Sequence, residues 1–387
     1  MQRTNVKENS RKMKFVVSST ELLSRLQSIS RVISSKNTLP ILDNFLFDLS
    51  GNTLTIMASD LESSMRTHIT LDNVDGNGKV AIEAKRLTDI LKEFPEQPLI
   101  FEINQETLGV DIISDNGKFS IVGVNGDEYP EMLKLNEESA VTVNIPGAVL
   151  LKGINKTFFA TGDDELRPVM SCIFIQFNEN GVTFVASDTH KLVKYTNSSI
   201  NPGNQASFIL PKKPANMLKS VLGKGEQEIK LQFDDKNAYF QLSEYEMICR
   251  LQEGQYPNYE TVIPTNNPNR LTISRADFAT VLKRVSVFSS SSNLIKLDIK
   301  ADQVTVTAQD IDFSISAYEK INAQYEGEDM LIGFKSAFLV DILNAMNTEN
   351  VVLQMSDPSR AGVIVPLEKE SEEEDELMLL MPMMIND

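Results

Sequence analysis

Residues 53–65, TLTIMASDLESSM, form the most informative stretch of this chain, because their pattern returns twice further along. It returns as GVTFVASDTHKLV at residues 181–193 and as QVTVTAQDIDFSI at residues 303–315. The equivalent aspartates are Asp60, Asp188 and Asp310. They are separated by steps of 128 and 122 residues, which is the size of a small domain.

Two further markers keep nearly the same period. The segment VAIEAKRLTDIL at residues 80–91 recurs as SFILPKKPANML at 207–218 and as LIGFKSAFLVDIL at 331–343. The lysines of these segments are Lys85, Lys212 and Lys335, which are 127 and 123 residues apart. The pairs Tyr129-Pro130 and Tyr256-Pro257 are also 127 residues apart. Three independent markers with one period predict a threefold repeat of domain-sized units.

Each repeat is expected to be an α+β domain with two helices packed on antiparallel sheets. A short strand (KFVVS, VTVNI or RLTIS) leads into an amphipathic helix, and the lysine-bearing segment forms the second helix. The apolar stripe of the first helix comprises Leu22, Leu23, Leu26, Ile29 and Ile33. Ser19 or Thr20 is the expected cap of that helix, because a side-chain oxygen there can accept from the first free N–H groups.

The domain boundaries are expected where proline and asparagine gather. The expected domains are residues 13–138, 139–269 and 270–387. A start-like MKF at Met13 makes residues 1–12 an expected disordered extension. That extension has basic residues but no hydrophobic segment behind them, so it does not resemble a secretory signal.

Composition restricts the class of protein. The chain has 387 residues and a net charge of −17, so its surface as a whole does not attract nucleic acid. Two cysteines, Cys172 and Cys249, are too few for a disulfide framework and fit a reducing cytoplasm. Two histidines argue against a histidine-based metal cluster, and no apolar run is long enough to cross a bilayer. We therefore expect a cytoplasmic protein without a metal or other cofactor.

Basic side chains recur on the polar faces of the predicted helices. In the first helix of each repeat they are Arg25 and Arg31, Lys152 and Lys156, and Lys283 and Arg284. In the second helix they are Lys85, Arg86 and Lys92, then Lys212, Lys213 and Lys219, then Lys335. Such residues are usually the solvated face of an amphipathic helix. Their recurrence also fits sequence-independent phosphate contacts, which need only positive charge at suitable spacing.

With these residues in place, the chain resembles the bacterial sliding clamps, the beta subunits of replicative DNA polymerase III, from Met13 to Met383. The matching segments are MKF at residues 13–15, NTLPILDNFLF at 37–47, ASDLE at 58–62, ASDTHKL at 186–192, EGQYPNYETVIP at 253–264 and MPM at 381–383. The resemblance implies three domains of one fold and a head-to-tail homodimer that closes a six-domain ring. It also implies a processivity factor without catalytic activity, whose helices line a central hole for double-stranded DNA.

The resemblance assigns DNA contacts and a ring interface as well. Lys36 in SSKNTLP matches the family's loop residue that touches the duplex. The residues that match its inward-facing second helices are Lys85, Arg86, Lys212 and Lys213. The ring closes by pairing an edge strand of the first domain with one of the third, and the matching residues are Phe119, Ile121, Val287 and Phe288. From the residues alone, these four side chains could equally belong to the core.

The chain ends on ELMLLMPMMIND, which is unusually apolar for a terminus. In the family, the DNA polymerase III alpha subunit, the clamp loader and other proteins with a clamp-binding motif insert a short peptide into a pocket. The matching pocket residues are Arg167, Met170, Thr189, His190, Lys191, Leu192, Pro257, Val262, Leu379, Met381, Pro382 and Met383. Methionine suits a surface that accepts several peptides, although a core strand would also explain the apolar ending.

The pocket departs from the family pattern at two points. The usual ending MPMRL is MPMMIND here, with Met384 in place of an arginine. Pro168 and Val169 stand where other members have aromatic residues. The pocket itself is therefore expected, whereas its peptide preference does not follow from the resemblance.

Two other classes of function remain open from the residues. Asp188 and His190 share a strand face, as an acid and a base could, but no nucleophile motif, Walker loop or GxGxxG accompanies them. The aspartate recurs in all three repeats and the histidine does not, which predicts a turn or strand-end role for the aspartate. The other alternative is a repeat scaffold that binds only proteins and whose lysines are merely solvated.

Overall fold

The computed structural model describes residues 12–203, 205–223 and 228–385. Within these ranges the chain forms six α-helices and 27 β-strands. Residues 1–11 of the expected extension lie outside the described residues, and Lys12 is the first residue of the first strand.

The helices and strands are numbered here in chain order. Helices α1–α6 are Ser19–Ile29, Ala84–Lys92, Gly147–Phe158, Lys212–Val221, Arg275–Ser286 and Ser336–Ala345. Strands β1–β10 are Lys12–Ser18, Asn44–Ser50, Thr53–Ser59, Ser63–Thr70, Val74–Asp75, Gly78–Glu83, Pro98–Asn104, Gly109–Ser114, Gly117–Val122 and Val124–Asn125. Strands β11–β18 are Val141–Ile145, Cys172–Asn178, Gly181–Ser187, Lys191–Asn197, Ala206–Pro211, Ile229–Phe233, Asn237–Gln241 and Tyr245–Arg250. Strands β19–β27 are Asn269–Ser274, Leu294–Lys300, Gln303–Asp310, Ile315–Asn322, Gln324–Glu326, Met330–Lys335, Asn350–Met355, Gly362–Pro366 and Glu374–Leu380.

The described residues repeat one order of elements three times. Each repeat has a strand and a helix, then four strands, then a second helix and three strands, and the short strands β5, β10 and β23 are additions to this order. Every strand pair in the sheets is antiparallel, from β1 with β7 to β26 with β27. The predicted α+β fold and its threefold repeat are therefore confirmed.

By its internal contacts the chain divides into two compact units. The first unit comprises residues up to Ala148 together with Asn216–Leu251, and the second comprises Val149–Ala215 together with the residues from Gln252 onwards. In the first unit the sheets have the strand orders β5-β1-β7-β8-β9 and β10-β6-β2-β3-β4-β18-β17-β16-β11. In the second unit the orders are β15-β12-β13-β14-β27-β26-β25-β19-β23 and β22-β21-β20-β24. The central repeat thus contributes one group of strands to each unit.

The same strand junction joins successive repeats within each unit. In the first unit β4 pairs with β18, with Ser63 opposite Cys249. In the second unit β14 pairs with β27, with Lys191 opposite Leu380. The next hydrogen bond is also equivalent, because the N–H of Arg250 donates to the carbonyl of Glu62 and that of Met381 donates to the carbonyl of His190, both at 2.8 Å. Two consecutive repeats therefore always share one continuous sheet.

The recurring aspartates close the turns that precede β4, β14 and β22. In each turn one carboxylate oxygen accepts N–H bonds from the residues two and three positions further along. These bonds join Asp60 to Glu62 at 3.0 Å and Ser63 at 2.7 Å, Asp188 to His190 and Lys191 at 2.9 Å, and Asp310 to Asp312 at 3.0 Å and Phe313 at 3.3 Å. The predicted turn role of the repeated aspartate is confirmed.

The cap of the first helix lies one residue earlier than expected. Ser18, and not Ser19 or Thr20, accepts the N–H of Glu21, at 3.4 Å. Ser18 is the last residue of β1 and keeps an extended backbone, which is the conformation that a capping residue needs. The helix buries Leu22, Leu26 and Ile29 and ends at Ile29, so Ile33 of the predicted stripe lies beyond it.

A half-buried carboxylate, Glu246, supports the junction between β4 and β18. Glu246 accepts from Arg66 Nη2 at 2.6 Å and from His68 Nε2 at 3.0 Å, and it also accepts from the hydroxyl of Tyr239. Burial is the largest single influence and raises the pKa of Glu246, but the hydrogen bonds from Arg66, Tyr239 and His68 together outweigh it. The result is a pKa of about 2, below the ordinary value of 4.5.

We expect Glu246→Gln to destabilise the protein in a pH-dependent way. A carboxyl whose pKa is lowered on folding contributes stability above its unfolded pKa, and this contribution is lost as the pH falls from about 4.5 to about 2. At pH 7 the loss should be about 2–3 kcal/mol in the free energy of unfolding, and it should shrink over that window. Urea unfolding from pH 7 to pH 2.5 measures it. The control is Glu131→Gln, which removes an exposed pair with Lys134, and a difference independent of pH would contradict the account.

Candidate partner-peptide pocket and DNA-contact residues

The apolar end of the chain is first of all a strand. Leu379 lies in β27 opposite Leu192 of β14, and both side chains are buried. They belong to one cluster in the second unit, which comprises Cys172, Val185, Leu192, Ile209, Tyr256, Tyr259, Ala361 and Leu379. The core-strand interpretation is therefore right for residues up to Leu380, while the chain beyond it is available for another role.

The residues expected to form the pocket all lie in the second unit and divide by exposure into a buried group, called the floor here, and an accessible group, called the rim. The buried members are Met170, Lys191, Leu192 and Leu379. The exposed or half-buried members are Arg167, Thr189, His190, Pro257, Val262, Met381, Pro382 and Met383. Val262 and Met381 are 55% and 42% exposed, which is high for apolar side chains.

The loop before β12, called the wall here, carries the expected pocket residues Arg167 and Met170. Asp164 accepts from Arg167 Nη2 at 2.7 Å, and a short 3₁₀ helix follows at Pro168–Ser171. The carbonyl of Met170 accepts the N–H of Gly162 at 2.8 Å, which closes the loop. Val169 packs on the buried cluster, so the departure from the family's aromatic residues leaves the wall apolar.

Phe338 of α6, which the sequence did not single out, lies against the rim residue His190. The Nζ atoms of Lys191 and Lys335 lie 4.1 and 4.5 Å from the centroid of its ring. The ring of His190 is stacked against it, with 5.9 Å between the centroids. In the sequence, Phe338 stands in an apolar segment beside Leu339; the structure buries Leu339 and leaves Phe338 half-buried. Its place three residues after Lys335 was the available clue, because such residues are neighbours on a helix surface.

The tail after β27 runs along the edge of β24. The N–H of Met383 donates to the carbonyl of Gly333 at 2.8 Å. A Cβ atom at position 333 would lie only 2.9 Å from the carbonyl oxygen of Met383, so this glycine permits the close approach. Beside it, Met383 and the 79% exposed Met384 line a cavity of about 440 Å³.

The expected DNA-contact residues differ widely in accessibility. In the described residues, Lys36, Lys85 and Lys283 are exposed and make no ion pair, and Lys213 is exposed as well. Four further members pair with carboxylates: Arg86 with Glu83 at 2.8 Å, Lys212 with Asp163 at 2.6 Å, Arg284 with Glu319 at 2.5 Å, and Arg25 with Glu244 at 2.7 Å. Arg25 is only 14% exposed and lies over the ring of Tyr245.

Lys152 and Lys156 are held in a partly buried ion network with the acidic run before the tail. Lys152 Nζ lies 2.8 Å from Glu370 and 2.6 Å from Glu374. Lys156 Nζ lies 2.9 Å from Glu376 and donates to the carbonyl of Ala345 at 3.0 Å. The side chains of Lys156 and Glu376 are only 8% and 10% exposed. Burial raises the pKa of Glu376, and Lys156 opposes this shift only in part. Lys156 is thus a structural residue that anchors β27 to α3.

The expected interface residues are all at least partly exposed, so none of the four is a core residue. Phe119 of β9 is 40% exposed and packs edge to face against Phe94, with 5.3 Å between the ring centroids. Val287 and Phe288, which follow α5, are 74% and 39% exposed. Ile121 is half-buried.

Known proteins resemble the chain over almost its whole length. Models of the DNA polymerase III beta subunit match in order: its N-terminal domain at residues 13–133, its central domain at 144–258 and its C-terminal domain at 260–383. The beta sliding clamp of Synechococcus elongatus is 27% identical over 367 residues, covering 92% of this chain and 96% of the relative. That of Proteus mirabilis is 28% identical over 353 residues, covering 89% and 94%.

Solved structures lead to the same fold. A sliding clamp from Pseudomonas aeruginosa, bound to griselimycin, has a TM-score of 0.90 at 22% identity and covers 96% of this chain and 100% of its own. The beta subunit from Thermotoga maritima has a TM-score of 0.88 at 26% identity, covering 97% and 100%. The fold is that of a sliding clamp. The chain belongs to the DNA polymerase III beta subunit family of DNA replication.

Neither a membrane-spanning helix nor a metal-binding cluster occurs among the described residues. None of the helices there combines the length and apolarity needed to cross a bilayer. No group of three or more histidine, cysteine, aspartate or glutamate side chains there could hold a metal ion.

We expect Lys156→Ala to act on stability, because it leaves the buried Glu376 without its partner. Breaking a buried pair by removing one member costs about 3–5 kcal/mol in the free energy of unfolding. Lys152→Ala should cost less, since Lys152 is 31% exposed. Urea unfolding at pH 7 measures both. The control Lys300→Ala removes an exposed pair with Asp298 and should cost less than 1 kcal/mol. An equally small effect of Lys156→Ala would show that the network does not anchor β27.

Proposed function

We propose that the chain is a non-catalytic processivity factor that encircles duplex DNA as a ring-shaped homodimer. In this role it slides without sequence preference and tethers the replicative polymerase and other proteins through the pocket of its second unit. The cytoplasm, where bacterial DNA is replicated, is the expected place of action.

The repeated strand junction is the observation that carries the ring. The strand after the aspartate turn of one repeat, β4 or β14, pairs with the last strand of the next repeat, β18 or β27. The remaining equivalents are β22 and β9, and each is the outer strand of its sheet in the described residues. Pairing β22 of one copy with β9 of a second copy repeats the same junction. Two such contacts close a head-to-tail ring, as heterologous interfaces do when their rotation closes.

The two outer strands carry apolar side chains that support this pairing. On β9, Phe119 and Val122 are 40% and 79% exposed, and on β22, Ile315 and Tyr318 are 41% and 72% exposed. An exposed apolar sheet edge is a template for association with another chain. Val287 and Phe288 add further exposed apolar surface at the end of α5.

The proposed DNA contacts are the exposed lysines Lys36, Lys85, Lys213 and Lys283. Arg86, Arg284 and Lys212 could join them by exchanging their carboxylate partners for phosphates. We leave out Lys156, because its side chain is buried. Diffuse contacts to phosphates carry no sequence information and weaken steeply with salt. A closed ring does not need tight contacts, because enclosure itself prevents escape.

We expect replacement of Lys36, Lys85 and Lys283 by glutamate to weaken DNA contact without breaking the ring. The purified chain is loaded by a clamp loader onto nicked circular DNA, and its retention is followed by gel filtration at rising salt. Wild type should stay on circular DNA and leave after linearisation. The triple variant should be retained less and at lower salt, since each lost phosphate contact lowers the slope of affinity against salt.

A matched variant, Lys134→Glu, removes an exposed lysine that the proposal does not use. It should behave like wild type. Retention that does not depend on DNA ends would overturn the ring and favour a scaffold that binds only proteins.

The proposed pocket takes a short partner peptide with a glutamine followed by apolar residues. We expect deletion of residues 381–387 to remove peptide binding, because Met381, Pro382 and Met383 belong to the rim. The deletion starts after β27, so the buried Leu379 and Leu380 keep their strand pairing. Fluorescence anisotropy with a labelled peptide should show that the affinity falls at least about tenfold. The truncated protein should still sediment as a dimer. Deletion of residues 386–387 alone is the control. Undiminished affinity after the longer deletion would contradict the assignment.

A further inference from the structure

Lys335 does not occupy the helix position that its spacing in the sequence predicts. It is the last residue of β24 and the capping position of α6, with an extended backbone at φ −74° and ψ 115°. In α2 the capping position belongs to Glu83, and Lys85 lies two residues inside the helix. Because each residue turns an α-helix by about 100°, Lys85 and Lys335 leave their helices in different directions. The spacing that assigns Lys85 to DNA contact therefore does not extend to Lys335.

The surroundings of Lys335 belong to the peptide pocket. Its Nζ atom lies 4.5 Å from the centroid of the Phe338 ring, and the rings of His190 and Phe338 are stacked with 5.9 Å between centroids. His190 also accepts the N–H of Met381 with its carbonyl, which ties the tail to the same place. A lysine held over an aromatic ring keeps its ammonium group positioned without neutralising its charge.

The two lysines around the Phe338 ring differ in whether a carboxylate pairs with them. Lys191 is buried, and its Nζ pairs with Asp188 at 2.5 Å. In the parts of the chain that the structure describes, Lys335 makes no ion pair, and the ring nitrogens of exposed His190 make no hydrogen bond. The ammonium group of Lys335 and the imidazole of His190 thus lack polar partners in the described residues, and the backbone of His190 holds exposed Met381. An incoming group that carries a carboxylate would satisfy both.

We propose that Lys335 and His190 form a carboxylate subsite of the partner-peptide pocket. The preferred partner then carries a carboxylate directly beside the apolar residues that contact Met381, either as an aspartate or glutamate side chain or as a free C-terminus. Lys335 is a specificity residue of the pocket in this account and not a DNA contact. The inference rests on the proposed function of the pocket.

The test uses the full chain and four labelled peptides that contain one glutamine followed by apolar residues. They carry aspartate or asparagine after the apolar residues, each with a free or an amidated C-terminus. Wild type should bind a peptide with either carboxylate about tenfold more tightly than the amidated asparagine peptide, the size expected for one charge-assisted hydrogen bond. The two singly charged peptides separate a side-chain carboxylate from a terminal one.

Lys335→Gln should abolish this preference while the amidated asparagine peptide binds as before, and the preference of wild type should weaken with salt. Lys300→Gln, an exposed lysine paired with Asp298, is the matched control and should keep the preference. Retention on circular DNA should not change in the Lys335→Gln variant.

Three results would overturn the proposal. Equal affinity of wild type for all four peptides would mean that the pocket exists without a carboxylate subsite. An equal loss for every peptide in the Lys335→Gln variant would make Lys335 a structural residue. Failure of wild type to bind any of the peptides would overturn the pocket itself, which is a separate failure from the first two.

Discussion

An unpaired sheet edge exposes backbone N–H and C=O groups, and this chain covers such edges by joining its repeats strand to strand. The junctions of β4 with β18 and of β14 with β27 use the same strands of successive repeats. They explain why contacts divide the chain into two units although its sequence has three repeats. The first and third repeats are left with β9 and β22 as outer strands, and the proposed ring follows from them.

The repeat, the helix and strand order and the aspartate turns could be predicted from the sequence, because they depend on local patterns. Alternation of apolar residues gives the strands, and a carboxylate that accepts from the next two or three N–H groups gives the turns. The partners of β4 and β14 could not be predicted in this way. Cys249 lies opposite Ser63, and no pattern within either strand specifies a partner so distant in sequence.

The candidate sites were predicted less completely, since charge and apolarity have several structural uses. Lys156 and Lys283 occupy the first helices of two repeats, yet one anchors β27 to α3 and the other is exposed. Leu379 and Met381 are two residues apart, but β27 ends between them, so one is in the core and the other at the rim. A shift of the helix start by two residues separates Lys335 from Lys85, and the sequence did not distinguish half-buried Phe338 from buried Leu339 beside it.

The mass of the chain in solution tests the central claim most directly, because ring closure requires two copies. Sedimentation equilibrium at micromolar concentration should give twice the chain mass of 43.2 kDa. A variant with lysine in place of Ile315 and Tyr318 on β22 should return towards the mass of one chain, since charge at an edge prevents strand pairing. A wild-type chain that sediments only as a monomer would contradict the account, and so would a dimer that is indifferent to the edge of β22.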